Sequence, residues 1–271
     1  MVTQSRTGGA PDKAPGKAPG NAPGKARALA PALVLLVALA ASAADEPAAP
    51  AWPPFLEPRA AFPDEIAAAI ARVWREPTLA RTVHAKPAPV PFALLAALVD
   101  APEVTAAAAR HRELARWKVR ALGDERWEAE DGDGARGRYR VLRRDARRRV
   151  ILSSGEHASF LLGTITGSAL TLLDLEPREA GVEQSLHAWV RIDNPVAAFL
   201  ARVLITLFGG LADRKLGEGL RVTAAVAAWA VERPGEFCAW LAREALPPER
   251  RDRVRDALPA CAAATREGTK S

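Results

Sequence analysis

Between residues 117 and 192, apolar and polar residues alternate along most of the chain. This period of two predicts β-strands, because successive side chains of a strand point to opposite faces of a sheet. The Asp-Gly-Asp-Gly sequence at 131–134 predicts a tight hairpin turn. We therefore predict an antiparallel meander with one buried face and one solvent-exposed face. Its clearest strand covers 182–192, and one phase of that strand holds Val182, Gln184, Leu186, Ala188, Val190 and Ile192.

A leading helix precedes this region. Pro63 and two acidic residues suit its first turn, and Ile66, Ile70 and Val73 give it one apolar face. Proline residues then separate short apolar segments. These segments predict a strand over 78–86 and two short helices over 92–99 and 104–114.

A long amphipathic helix follows the meander. Asn194 can cap its first turn, and Pro195 suits its first helical position. Apolar residues then recur at helical spacing, which predicts a helix over Pro195–Val231 with one apolar stripe. Gly209-Gly210 in its middle predicts a kink.

The order of these elements resembles the START / Bet v 1-like (SRPBCC) superfamily over roughly residues 78–233. The matching segments are RTVHAKPAPV at 81–90, the helix at 92–99, DAPEV at 100–104 and DNP at 193–195. The resemblance implies an α+β, helix-grip fold: an antiparallel curved sheet wrapped around a long C-terminal helix, here with a helical C-terminal extension. It also implies a cavity between sheet and helix, since members bind lipids, sterols or polyketides and some are cyclases or hydratases.

Composition and periodicity together divide the chain into segments. Tandem KAPG-type repeats, rich in Pro and Gly, predict disorder at the start of the chain. A Pro-rich stretch before the leading helix predicts a surface tether. The predicted segments are a disordered region at 1–27, a signal-peptide hydrophobic region at 28–44, a linker at 45–62, the leading helix at 63–77, the helix-grip domain at 78–234, a helical hairpin extension at 235–262 and a disordered tail at 263–271.

The apolar run at 28–41 predicts export. Lys25 and Arg27 precede it, and small residues follow it up to Ala44. A basic flank, a short apolar core and a small-residue end are typical of secretory signal peptides. We predict a periplasmic or secreted protein cleaved before Ala44 or Asp45, with an uncleaved inner-membrane anchor as the alternative.

The positive charge of the chain does not indicate a nucleic-acid partner. The formal net charge is +6, but five of the 38 basic residues and one of the 32 acidic residues lie before residue 44. The remaining 33 basic and 31 acidic residues leave the body nearly neutral. Binding to nucleic acid requires a persistent basic surface that displaces counterions.

Two cysteines, Cys238 and Cys261, lie in the predicted extension, on two short helices around Pro247-Pro248. An oxidising compartment permits a disulfide between them, and two buried thiols are the alternative. No Cys/His set has metal-ligand spacing, so we expect no metal and no cofactor.

Pairing the inner phase of the sheet with the helix stripe predicts the residues that contact a ligand. Plain core packing is the alternative for each of them. They are Trp117, Tyr139, Val141, Ile165, Leu186, Ala188, Val190, Phe199, Val203 and Leu207.

The densest cluster of positive charge is RRDARRR at 143–149, which is predicted at a hairpin tip. It can be a solvated turn or a surface that attracts anionic lipid headgroups. The membrane hypothesis involves Arg143, Arg144, Arg147, Arg148 and Arg149.

We therefore predict an exported, non-catalytic protein that binds a hydrophobic, lipid-like molecule in a cavity. One alternative is a cyclase, hydratase or hydrolase on the same scaffold. That activity requires a buried ionisable group with a shifted pKa, for which Glu156, His157 and Arg191 are the candidates. The other alternative is a structural or partner-binding domain with a filled core.

Overall fold

The computed structural model describes residues 51–123, 125–159, 163–196, 198 and 209–261. Within these residues, seven strands form one antiparallel sheet in the order β1-β7-β6-β5-β4-β3-β2. The first strand thus pairs with the last, and the meander runs through the others in sequence. The strands are β1 Leu79–Ala88, β2 Lys118–Gly123, β3 Arg126–Glu130, β4 Ala135–Arg144, β5 Arg148–Ser159, β6 Gly163–Arg178 and β7 Gly181–Ile192.

The sheet is an open, curved surface. Its register shifts between Ala85 and Ala88, between Ala121 and Gly123, and between Val141 and Arg143. An extra residue in one strand bends that strand and increases its local twist. The strands β5 and β6 are longer than their apolar runs predict, because their polar ends remain paired from Arg148↔Asp174 to Ser159↔Gly163.

Most of the helices form where the sequence predicts them. Their bounds are α1 Asp64–Arg75, α2 Phe92–Val99, α3 Pro102–His111, α4 Gly209–Leu216, α5 Glu218–Glu232, α6 Pro234–Arg243 and α7 Pro248–Asp256. No single helix among the described residues is long and apolar enough to cross a membrane, although the bent pair α2 and α3 meets that test by length and composition.

The described part of the predicted Pro195–Val231 helix is not one uninterrupted element. Its first turn forms as expected, since the backbone N–H of Val196 donates to Oδ1 of Asn194 at 2.9 Å. Further along, the helix is interrupted at Gly217, between α4 and α5. Gly209 and Gly210 are the first two residues of α4, and residues 199–208 lie outside the described part of the chain.

We call the sheet face that carries Leu173, Leu175 and Leu186 the inner face. Helices α2, α3 and α5 pack against it and, with the C-terminal extension, build the larger hydrophobic core. Its fully buried members include Leu94, Leu98, Val226 and Phe237. In the extension, Cys238 is joined to Cys261 by a disulfide, with a Cα–Cα distance of 5.3 Å.

The opposite, outer face differs from the solvent-exposed face that the alternation predicts. Helix α1 and residues 52–62 cover part of it and enclose a second core with Val150, Leu170 and Leu172. Leu56 is 1% exposed and belongs to this core. The Pro-rich segment, predicted as a surface tether, therefore packs onto the sheet from residue 52.

Candidate functional site

A cavity of about 680 Å³ lies between the inner face and the helices. Strands β2 to β7 form its wall, and α2, α3, α4 and α5 contribute residues such as Leu98, Thr105, Leu216 and Leu220. This volume lies within the range of about 300–1,000 Å³ that is usual for small-molecule sites.

The cavity exists because the middle of the inner face carries small side chains. One row crosses the central strands through the register pairs Ala129↔Gly137, Gly137↔Gly155 and Gly155↔Gly167. The next row includes Ser153 paired with Ala169. Side chains of this size cannot reach helices that are held away by the larger residues around them. The same glycines let the strands approach closely, since a Cβ at Gly155 would lie 2.6 Å from the carbonyl oxygen of Arg136.

Most of the predicted ligand-contact residues for which the structure describes a position surround this cavity. Those that line it are Trp117, Tyr139, Val141, Ile165, Leu186 and Val190. Ala188 is buried in the same phase of β7 but is not among the lining residues. Phe199, Val203 and Leu207 lie outside the described residues.

Tyr139 packs on a buried aromatic side chain. Its ring stacks on Trp127 with centroids 5.3 Å apart and planes 12° from parallel. The indole N–H of Trp127 donates to the Glu103 carboxylate at 3.1 Å, and Arg250 pairs with that carboxylate at 3.3 Å. Burial raises the pKa of the Tyr139 phenol above its usual value, and the negative charge of Glu103 raises it further. Tyr139 therefore stays protonated at physiological pH.

A buried ionic network closes the end of the cavity where α2 meets α3. Both carboxylate oxygens of Asp100 accept hydrogen bonds from Arg149, at 3.0 and 2.8 Å. Arg149 also donates to the carbonyl oxygens of Asp145 and Ala146. Arg144 contacts Asp100 at 3.1 Å, so this carboxylate ties the β4–β5 hairpin to the helices.

This network corrects the interpretation of the arginine cluster. The cluster does lie at the β4–β5 hairpin tip, but Arg149 is only 3% exposed and Arg144 is half-buried. Both line the cavity, so they do not lie on the exposed surface that a membrane contact requires. Arg149 lies in the inward phase of β5, and the bulge in β4 shifts the register so that Arg144 pairs with it across the two strands.

The other three arginines of the cluster are exposed but engaged. Arg143 donates to the carbonyl oxygen of Phe55 at 3.2 Å, and Arg147 pairs with Glu176 at 3.2 Å. Arg148 pairs with Asp174 at 2.8 Å, and this hydrogen bond raises the pKa of its guanidinium further. The five arginines therefore do not form one free positive surface.

Of the three residues proposed for an enzyme, Glu156 and His157 are among the residues that line the cavity, and Arg191 is not. Glu156 pairs with Arg136 at 2.5 Å, in the outward phase of β4 and β5. Arg191 pairs with Glu76 at 2.6 Å and does not line the cavity. His157, in the inward phase of β5, is the one of the three whose phase faces the cavity.

Sequence reasoning did not assign a role to Gln184. This residue is 0% exposed and lines the cavity from the inward phase of β7. Neither its Oε1 nor its Nε2 has a hydrogen-bond partner among the described residues. A signal for it exists in the sequence, because Gln184 is a polar residue within the otherwise apolar phase of the clearest strand.

Comparison with known proteins gives structural likeness at low sequence identity. No family model matches the chain, and no curated protein is significantly similar to it. A conserved protein from Geobacillus kaustophilus is 14% identical, over 56% of this chain and 97% of that one, with a TM-score of 0.43. The structure of Ara h 8.0201 is 11% identical, over 57% and 100%, with a TM-score of 0.37.

A protein from Thermus thermophilus is 15% identical, over 55% of this chain and 99% of that one, with a TM-score of 0.33. At these TM-scores the similarities carry no argument about ligand or activity. The element order, the antiparallel curved sheet and the C-terminal helices of this chain nevertheless confirm the α+β class that the sequence predicts. The arrangement is helix-grip-like.

Proposed function

We propose that this protein binds a hydrophobic, lipid-like molecule in the cavity between its sheet and its helices. The observation that supports the proposal most strongly is the cavity itself, which is lined mainly by apolar residues such as Trp117, Val141, Ile165 and Val190. Moving apolar surface from water into such a site releases roughly 25 cal/mol per Å² buried. A filled-core structural domain would have no space of this size.

We propose binding without catalysis. The charged groups Asp100, Arg144 and Arg149 at the closed end satisfy one another, which leaves no reactive group free there. Tyr139, whose raised pKa keeps it protonated, cannot act as a base at physiological pH.

We also propose that the chain acts after export. The apolar run at 28–41 and its basic flank support export, and the disulfide between Cys238 and Cys261 is compatible with an oxidising compartment. Expression of the full chain with a C-terminal tag tests this proposal. Recovery of a protein that begins at Ala44 or Asp45 in the periplasm or medium is expected, and exclusive recovery of uncleaved protein in the cytoplasm would contradict export.

The binding proposal is tested with an uncharged fluorescent probe, N-phenyl-1-naphthylamine. We expect its emission to rise on titration with the wild-type protein. Ala169→Phe places a ring in the middle of the cavity wall and should weaken binding at least tenfold. The control is Ala146→Phe, which adds the same ring at the exposed hairpin tip and should bind like wild type.

Absence of probe binding to the folded wild-type protein would overturn the proposal. Equal binding by both phenylalanine variants would also overturn it, because the probe would then occupy another site. Native mass spectrometry of the purified protein adds an independent measurement, since a co-purifying lipid that Ala169→Phe loses supports the same site.

A further inference from the structure

Tyr139 presents its hydroxyl group to the cavity. The residue lies in the inward phase of β4 and lines the cavity beside its register partner, Ser153. Among the described residues the hydroxyl has no hydrogen-bond partner, and it is not one of their unpartnered atoms that water cannot reach. Because the side chain lies on the inner face, a molecule inside the cavity can contact this hydroxyl.

Tyr139 differs in this respect from the other hydroxyl groups that line the cavity from the inner face and the helices. Each of those groups already donates to a backbone carbonyl oxygen, at distances between 2.6 and 3.4 Å. They belong to Thr105, Ser153 and Thr223. On the inner side of the described lining, the phenol is therefore the hydroxyl whose hydrogen remains available to a ligand.

An available donor in the wall of an apolar cavity discriminates between ligands. An accessible phenol hydrogen-bonds to water when no ligand is bound, and a ligand that fills the space displaces that water. If only carbon atoms replace the water, the hydroxyl loses its partner and binding is weakened. A ligand with an acceptor atom at this point replaces the lost hydrogen bond and avoids that loss.

The charges around Tyr139 favour an acceptor that is itself neutral. Burial raises the pKa of the Tyr139 phenol, and the negative charge of Glu103 raises it further. The same charge repels an anion placed at the hydroxyl. Arg144 and Arg149 do not compensate for this repulsion, because both already pair with Asp100.

We propose that the cavity selects an uncharged ligand that carries an acceptor oxygen, such as a ketone or ester carbonyl, and that the Tyr139 hydroxyl donates to this oxygen. The inference rests on the proposed binding function and specifies its ligand class. The stacked ring of Trp127 holds the phenol in position. The apolar body of the ligand contacts residues of the same cavity such as Trp117 and Ile165.

The test compares three probes with one ring system: fluorene, 9-fluorenone and 9-fluorenecarboxylate. Fluorene has no polar atom, 9-fluorenone adds an oxygen that accepts but does not donate, and the carboxylate is ionised at neutral pH. Equilibrium dialysis against the full chain measures the affinity for each probe. For wild type we expect 9-fluorenone to bind at least tenfold more tightly than 9-fluorenecarboxylate.

Tyr139→Phe isolates the contribution of the hydroxyl, because it keeps the ring that stacks on Trp127. We expect this variant to bind fluorene like wild type and to lose at least fivefold in affinity for 9-fluorenone. Ser153→Ala is the matched control, since it removes the neighbouring hydroxyl, which already donates to the carbonyl oxygen of Ala169. It should keep the wild-type affinity for both probes.

Infrared spectroscopy of bound 9-fluorenone provides a measurement on the wild-type protein itself. A hydrogen bond to the carbonyl oxygen lowers the C=O stretching frequency. We therefore expect the bound probe to absorb at a lower frequency than it does in an alkane solvent. In Tyr139→Phe the frequency should return to the alkane value.

The outcomes separate the two proposals. Failure of the wild-type protein to bind N-phenyl-1-naphthylamine and fluorene overturns the binding function and this inference together. Binding of either probe overturns only the inference if folded Tyr139→Phe keeps its affinity for 9-fluorenone, or if Ser153→Ala loses as much. An alkane-like C=O frequency in wild type, no binding of 9-fluorenone, or equally tight binding of the carboxylate also overturns only the inference.

Discussion

The two faces of the sheet come from the same alternating strands, yet packed side chains fill the covered part of the outer face, whereas the inner face borders a cavity. On the outer face, Trp189 stacks on Phe55 at 5.5 Å and contacts Trp74 at 4.8 Å between ring centroids. Large rings fill the gap between sheet and helix there. On the inner face, the central rows carry residues such as Gly155 and Ala169, and about 680 Å³ stays open.

This difference shows that alternation decides which residues face inward, whereas side-chain size decides whether the space between layers is filled. Protein interiors are normally close-packed, so an open volume lined by apolar groups loses dispersion contacts. The larger residues at the two ends of the inner face hold the helices in place around that volume. The stability of the inner side should therefore come from its ends and not from its middle.

Asp100→Asn should give the largest effect, because it leaves the buried Arg149 without its carboxylate. Breaking a buried ion pair by removing one partner costs about 3–5 kcal/mol in the free energy of unfolding. Urea denaturation measures this value. Glu156→Gln, which breaks an exposed pair with Arg136, is the control and should cost less than about 1 kcal/mol. Similar losses in both variants would contradict the claim that the Asp100–Arg149 pair stabilises the inner side of the sheet.

The same substitution on each face tests the comparison directly. Leu170→Ala on the outer face removes a side chain that is 0% exposed and should cost roughly 3–4 kcal/mol in the free energy of unfolding. Leu186→Ala on the inner face should cost roughly 1–2 kcal/mol, because part of that side chain already borders the cavity. Equal losses by urea denaturation would mean that the two faces are packed alike.

Removing the disulfide should destabilise the C-terminal extension and leave binding in the cavity intact. Replacing Cys238 and Cys261 by serine releases a cross-link between residues 23 positions apart and should lower the free energy of unfolding by about 3 kcal/mol. Binding of N-phenyl-1-naphthylamine should persist, since none of the described lining residues comes after Thr223. Reductant should destabilise wild type and leave the double variant unchanged. Loss of probe binding by the folded variant would place the extension in the site.

The smallest effect concerns Tyr139, which is the one tyrosine in the chain. Because burial raises its pKa in the folded state, the unfolded state loses this proton first as pH rises. The stability that the neutral phenol contributes is therefore complete below about pH 10 and decreases above it. We expect phenolate absorbance to appear only as the protein unfolds. Phenolate absorbance at about pH 10 in a still-folded protein would show an exposed ring.

Local sequence predicts much of the fold. Helix α2 has the predicted bounds, and Asn194 caps the helix that begins at Pro195. The turn at 131–134 joins β3 to β4 as expected. These features depend on neighbours in the chain: proline geometry, side-chain caps and the period of two.

For the same reason, the sequence predicts which strand residues face the site. It does not predict which remote residues close the site. Alternation places Trp117, Tyr139 and Val190 on one face of the sheet, wherever the helices lie. The contact of Arg149 with Asp100 joins residues 49 positions apart, so no local pattern reveals it. Likewise, the alternation that marks Trp189 as outward cannot show that α1 covers it.

The sequence by itself determined which residues form strands, which phase of each strand is apolar and where the main helices begin. Those properties follow from local sterics and from the solvent preference of each side chain. Only the tertiary structure decided that helix α1 packs on part of one face while the other face borders a cavity. It also decided that four of the five clustered arginines pair with acidic residues, and that Gln184 is buried without a partner among the described residues. Such properties depend on distances between remote segments, which the chain fixes only when it folds.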